Sequence, residues 1–156
     1  MWKSLLMVGC MALGMVGYAV FADKAEKPKD PLAAAKCPAS NEGVSADQAV
    51  EFEGGMVYFC CEKCKAAFEK DSAKMAAKSR HQMVVTGQFE QKACPLSGGP
   101  TKAETAIDVA GTKVAFCCEN CQGKAKKAGD DVAEVLFGDK EKFAKAFAKV
   151  EKKAEK

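Results

Sequence analysis

The chain has 156 residues, enough for one ordinary domain or two very small ones. Hydrophobic residues make up 48% of it and charged residues 29%, with only five prolines, a composition that excludes a disordered chain. The net charge of +3 is spread over interleaved lysines and acids, so the concentrated basic face of a nucleic-acid binder is not expected.

Residues 1–22 read as a secretory signal. Met1-Trp2-Lys3 supplies a short positive start, residues 4–21 carry no charge, and Val20-Phe21-Ala22 precedes Asp23-Lys24 as a cleavage site would. Two alternatives stay open. One is an uncleaved anchor, because the apolar run is barely long enough to span a bilayer. The other is a lipoprotein, because Val8-Gly9-Cys10 resembles the end of a lipobox. The expected location is therefore exported, periplasmic or secreted, with membrane attachment only through a retained or lipidated leader. Residues 23–36, rich in Lys, Ala and Pro, read as a flexible tether.

Nine cysteines stand beside a single histidine, and eight of them follow the leader, which holds Cys10. That density implies disulfides or a metal. Sliding the chain by 57 positions aligns all eight without a gap: Cys37 on Cys94, Cys60 on Cys117, Cys61 on Cys118 and Cys64 on Cys121. Pro38, Ser40, Gly54, Val57, Phe59 and Glu62 fall on Pro95, Ser97, Gly111, Val114, Phe116 and Glu119. The chain is an internal repeat.

Each unit has its own pattern. Val50-Glu51-Phe52 alternates, Gly54-Gly55 marks a turn, and Val57-Tyr58-Phe59 resumes an extended run. The second copy has Ile107-Asp108-Val109, a turn at Gly111-Thr112, and an extended run over residues 113–116. Both are hairpin signals. Helix formers follow from Glu62 to Lys70, directly after the cysteine cluster. The joining segment is expected to stay helical over residues 73–78 and to become extended around Met83-Val84-Val85. Phe143, Phe147 and Val150 recur at helical spacing, which predicts a final amphipathic helix. The expected fold class is α+β. Two modules, residues 37–80 and 94–138, each combine a cysteine knuckle, a hairpin and a helix. Residues 81–93 connect them, and residues 139–156 form the C-terminal helix and tail. Phe68 has Ala125 as its counterpart, so Leu136 and Phe137 are candidates to complete the second core.

If the helix starts near Cys61, Cys60, Cys61 and Cys64 gather round its first turn, where free N–H groups and the helix dipole favour thiolate. The hairpin folds the chain back and can bring Cys37 beside them. Three or four converging thiolates suit zinc, which takes four in a tetrahedron, or copper(I), which accepts fewer. The candidate metal ligands are Cys37, Cys60, Cys61 and Cys64, with Cys94, Cys117, Cys118 and Cys121 in the second copy.

Cys37-Pro38, the gap that follows, and the run Tyr58-Phe59-Cys60-Cys61-Glu62-Lys63-Cys64 resemble the YHS and TRASH family of small metal-binding modules. That family's pattern is a cysteine, about twenty residues, and then Cys-x-x-x-Cys opening a helix. Cys37, Cys60 and Cys64 match it, as do Cys94, Cys117 and Cys121. The paired modules also resemble uncharacterised exported proteins of planctomycete-type bacteria. The likeness covers residues 37–72 and 94–128. It implies treble-clef-like modules and a role in metal trafficking, sensing or storage, with a metal-transport or redox protein as partner. Cys61 and Cys118 stand where family members often have serine, and Ser40 and Ser97 stand where a full knuckle has its second cysteine. The ligand count is therefore four, or three with an open position.

Competing readings are a disulfide framework, a structural zinc supporting an interaction surface, and thiol–disulfide exchange through Cys61-x-x-Cys64 and Cys118-x-x-Cys121. Adjacent cysteines pair only with strain, which disfavours a simple disulfide framework. The repeat is too short for a thioredoxin-like unit. His81 is expected at a polar surface or in a linker rather than as an added ligand or inter-module contact. No paired carboxylates or activated serine suggest hydrolase chemistry, so a non-enzymatic protein is expected.

Overall fold

The computed structural model describes residues 30–151. The leader and residues 23–29 of the expected tether lie outside them. The architecture is α+β, with three two-stranded antiparallel sheets and five α-helices among the described residues. In the first half, strand β1 (Ser45–Phe52) pairs with β2 (Gly55–Phe59), and helices α1 (Glu62–Lys70) and α2 (Ala76–Val85) follow. A short strand, β3 (Phe89–Gln91), leads out. The second half repeats the order with β4 (Lys102–Val109), β5 (Thr112–Phe116), α3 (Glu119–Lys127) and α4 (Val132–Phe137). Helix α5 (Lys140–Ala146) and strand β6 (Phe147–Lys149) close the chain.

The first two strands and first helix of each half keep the 57-residue offset at both ends. The hairpin turn does so too, but it sits one residue earlier than the glycines suggest. Phe52 pairs with Gly55 and Val109 with Thr112, leaving Glu53-Gly54 and Ala110-Gly111 as two-residue loops. All four loop residues have positive φ, at 49° and 81° in the first loop and 46° and 86° in the second. That is the left-handed pair whose twist matches an antiparallel hairpin, with glycine taking the second position at no steric cost. Gly55 is instead the first residue of β2. A Cβ there would run into the sulfur of the fully buried Met83 and the ring of Phe89, so its role is close packing.

Val57, Phe59, Val114 and Phe116 point inward at alternate positions and are completely buried. Phe68 of α1 packs on Phe52 and Phe59, each with ring centroids 5.2 Å apart. Ala125 replaces it in α3, and Leu136 and Phe137 of α4 are both buried. Phe137 joins Phe143 and Phe147 in an aromatic cluster that Phe89 extends. The buried residues of both halves belong to one continuous core.

Three expectations for the connecting and terminal segments are corrected. Met83-Val84-Val85 is the last turn of α2, not an extended run; α2 packs against α4, and Thr86 closes it by donating from both N–H and Oγ1 to the Gln82 carbonyl. The final helix stops at Ala146, and Phe147 is extended because β6 pairs with β3. Tertiary pairing has overridden a helical period there. Finally, residues 30–36, expected as tether, form a turn that buries Ala35, and Lys36 bridges to Gly43. The second copy also breaks where α2 runs on: Gly138 ends α4, and Asp139 caps α5 by accepting from the N–H groups of Glu141 and Lys142.

The β3–β6 register sets Glu90 opposite Ala148, flanked by Phe89–Lys149 and Gln91–Phe147. Each strand follows the later helices of its own half, so like elements of the two halves pair with each other. Arg80 fastens the join. Its guanidinium makes a two-pronged ion pair with Glu53, at 2.7 and 3.0 Å, and donates to the carbonyls of Phe137 and Gly138. His81 is an inter-module contact rather than a surface or linker residue. Its Nε2–H donates to the Val109 carbonyl at 2.8 Å, and its ring lies against Phe137.

Burial holds the His81 pKa below its ordinary 6.5, against the opposing pull of the Val109 carbonyl and Asp108. The unfolded chain therefore takes up this proton first as pH falls. The stability this neutral ring contributes is fully present above about pH 6.5 and is lost as pH drops through the depressed folded value. Thermal unfolding of the reduced, metal-free protein followed by circular dichroism should give a lower midpoint at pH 5 than at pH 7. The substitution His81→Gln should flatten that dependence.

Candidate metal centres

The first ligand of each centre sits in a tight turn. The Cys37 N–H donates to the Glu42 carbonyl, and the Asn41 N–H donates back to the Cys37 carbonyl, both at 2.8 Å. Cys94 makes the same pair of bonds with Gly99 and Gly98. Asn41 and Gly98 occupy the left-handed corner at φ 63° and 73°, which asparagine and glycine tolerate best. The other ligands follow β2 and β5. Cys61 and Cys118 are the N-cap residues of α1 and α3, with the same extended backbone (φ −160°; ψ 165° and 166°), and neither side chain closes a capping hydrogen bond.

The sulfurs of Cys37, Cys60 and Cys64 all lie within 4.8 Å of one another, and so do those of Cys94, Cys117 and Cys121. All eight cysteines among the described residues are free thiols. Cys61 and Cys118, expected as further ligands, are not part of these close triads. Each lies beside its triad, with Sγ 3.6 Å from Cys60 or Cys117. Ser40 and Ser97 place their hydroxyls 3.2 and 3.1 Å from the sulfurs of Cys60 and Cys117. His81 contacts the Val109 carbonyl and takes no part in either group.

The donor set suits a thiophilic cation. Four thiolates at ~2.3 Å from zinc lie about 3.8 Å apart along the tetrahedron's edges. The Cys60–Cys64 and Cys117–Cys121 sulfurs are 3.6 and 3.7 Å apart, so they need little movement to share an ion. Both triads can hold a metal ion.

Proton affinity divides the thiols. Burial opposes ionisation of Cys37, but the backbone N–H groups of Ser40 and Cys60 and the Ser40 hydroxyl outweigh it and lower its pKa from 9.0 to about 7. Cys94 reaches about 7 in the same way, burial being outweighed by the Ser97 hydroxyl and the backbone N–H of Cys117. Cys64 goes the other way, pushed up to about 12 mainly by the sulfurs of Cys60 and Cys61. Burial and the Cys117 sulfur carry Cys121 up to about 12. Each centre thus gives up one proton readily and holds another firmly until a cation offsets the repulsion between thiolates.

Two glutamines missing from the sequence reading join the strands that carry the ligands. Gln82 accepts from the Tyr58 N–H at 2.7 Å and donates to the carbonyls of Tyr58 and Lys36. Gln91 treats Ala115 and Ala93 in the same way. Tyr58 and Lys36 are the repeat equivalents of Ala115 and Ala93, 57 residues apart, yet Gln82 and Gln91 are not equivalents of each other. Repeat alignment therefore gives no signal for them.

Comparison with known protein families, with curated proteins and with solved structures finds no match to this chain. Among the described residues, no helix is long and apolar enough to cross a membrane.

Proposed function

We propose that this is a non-enzymatic, exported metal-binding protein that traffics, senses or stores a thiophilic transition metal, zinc or copper(I), at two thiolate sites. The observation that carries the reading is the convergence of three sulfurs within 4.8 Å, made twice by equivalent residues. A knuckle turn, a hairpin and a helix opening at the cysteines accord with the treble-clef-like arrangement implied by the likeness to YHS and TRASH modules. Export rests on the charge and apolar pattern of residues 1–22. A metal-transport or redox protein is the partner that such a role requires.

One observation favours a second reading, thiol–disulfide exchange. Cys61 and Cys118 are exposed at the helix starts, where the N–H groups of Cys64 and Cys121 lower their pKa. Native mass spectrometry of protein purified from its own compartment separates the two. Two metal ions per chain with no disulfide is the expected result, and zero metal with four disulfides overturns it. Because thiols must lose protons to bind, affinity should rise with pH. Titrating the loaded protein from pH 8 to pH 5 should release both ions, and alkylating the thiols should prevent reloading.

A further inference from the structure

We infer that Cys61 and Cys118 are exchange thiols, through which each triad passes its metal ion to an acceptor bearing a thiolate. This rests on the metal-binding reading above. Exposure is graded across each centre. Cys37 and Cys94 are 1% and 0% exposed, Cys60 and Cys117 are half-buried, and Cys61 and Cys118 are open to solvent. The Cys60 sulfur is 3.6 Å from both Cys64 and Cys61. An ion bound to Cys60 is therefore one sulfur–sulfur step from a thiol at the surface. The second centre repeats the arrangement, with Cys117 at 3.6 Å from Cys118 and 3.7 Å from Cys121.

Helix capping does not account for cysteine at these positions. Neither side chain closes a capping hydrogen bond, although the Cys64 and Cys121 N–H groups act on their sulfurs, and serine is the better N-cap residue. Nor are these sulfurs needed to build the triads, which close without them.

In the transfer, a metal–sulfur bond to Cys61 forms as the bond to buried Cys37 breaks. The Cys61 thiol gives up its proton and the Cys37 sulfur takes one, so charge balances and no electron moves. An acceptor thiol then loses its proton and bonds to the ion from the solvent side. The bonds to Cys60, Cys61 and Cys64 then break one at a time as this thiol and further acceptor thiols bond, each released sulfur taking up the proton that an incoming thiol gives up. A triad alone would have to give up its bond to a buried cysteine with no neighbouring sulfur to take that cysteine's place.

The test compares the full chain with its Cys61→Ser, Cys118→Ser double variant, both loaded with zinc. Transfer rates are measured by stopped flow to two acceptors, glutathione and a Cys-x-x-Cys peptide, and equilibrium affinity is measured with a chromophoric chelator. Serine is expected to leave affinity within about threefold and to slow transfer by ~10-fold or more, since thiol exchange depends on access to the attacked centre. Slowing confined to glutathione assigns a small-thiol acceptor, and slowing confined to the peptide assigns a protein dithiol. An unchanged transfer rate overturns the inference. So does a loss of affinity as large as that of Cys60→Ser, which would make Cys61 a permanent ligand. A parent protein that takes up no zinc or copper(I) would fail earlier, at the metal-binding reading itself. Single variants at Cys61 and Cys118, each slowing half of the ions, keep the comparison valid should the double variant fold poorly.

Discussion

Cys60→Ser is expected to leave one metal ion per chain, held by the second centre. Cys60 is the hub of its site: its sulfur is within 3.6 Å of Cys61 and Cys64 and 3.2 Å from the Ser40 hydroxyl. A structural zinc site is worth ~10–16 kcal/mol over its ligands, so one thiolate carries about 3–4 kcal/mol, or several hundred-fold in affinity. Cys117→Ser should empty the second centre instead, and the double substitution should leave none. Native mass spectrometry with free metal buffered between the dissociation constants of the intact and weakened sites counts these states directly. Two ions on the Cys60→Ser protein would show that the sulfurs act through another geometry.

The second large effect is expected at a residue with no metal-binding chemistry of its own. Gln82 is 2% exposed and makes three hydrogen bonds to backbone groups, one on Lys36 and two on Tyr58. Gln82→Leu keeps most of the shape but leaves one N–H and two carbonyls without their partner. At ~1–3 kcal/mol for each unsatisfied group, reduced by whatever water can reach, the cost is about 3 kcal/mol. For a chain of this size that is roughly 6–12 °C in melting midpoint. Lys36 immediately precedes Cys37, and Tyr58 lies two residues before Cys60. The same substitution should therefore weaken the first metal site and spare the second, with Gln91→Leu doing the reverse. Melting curves with and without metal check both parts. Equal loss at both sites would mean that the glutamine supports the shared core rather than its own centre.

Repeat spacing made the core of this protein readable. Four cysteines held in register twice located both triads, and alternation around Val57 and Phe59 located the hairpins and their buried face. These features are local, set by residue type and short-range geometry. The rest depends on how the two halves meet. Glu53 takes a left-handed backbone at the hairpin turn, and Gly55 is reserved for contact with Met83 and Phe89. The dipeptide Gly54-Gly55 alone does not separate those two jobs. Phe143 and Phe147 sit four residues apart on a helical period, but only the first is helical, because β3 offers Phe147 a strand partner from the other half. His81 looked like a polar linker residue until α2 carried it to Val109. The one-sulfur distinction between Cys60 and Cys61 was carried only by the Cys-x-x-x-Cys spacing, since both stand at the start of the same helix.

The glutamine bonds have a consequence beyond the metal centres. A two-stranded sheet has two open edges, and an exposed row of backbone donors and acceptors is a template for another chain. Here Gln82 occupies both backbone groups of Tyr58, Gln88 those of Met56, and Gln91 those of Ala115. Each side-chain amide stands in for one residue of a missing third strand, and unlike a strand it presents no further edge of its own. The β2 edge, at Met56 and Tyr58, and the β5 edge, at Ala115, are thereby blocked against edge-to-edge growth. With eight free thiols among its described residues, the protein gains from this, because chains kept from aligning edge to edge have fewer chances to become cross-linked.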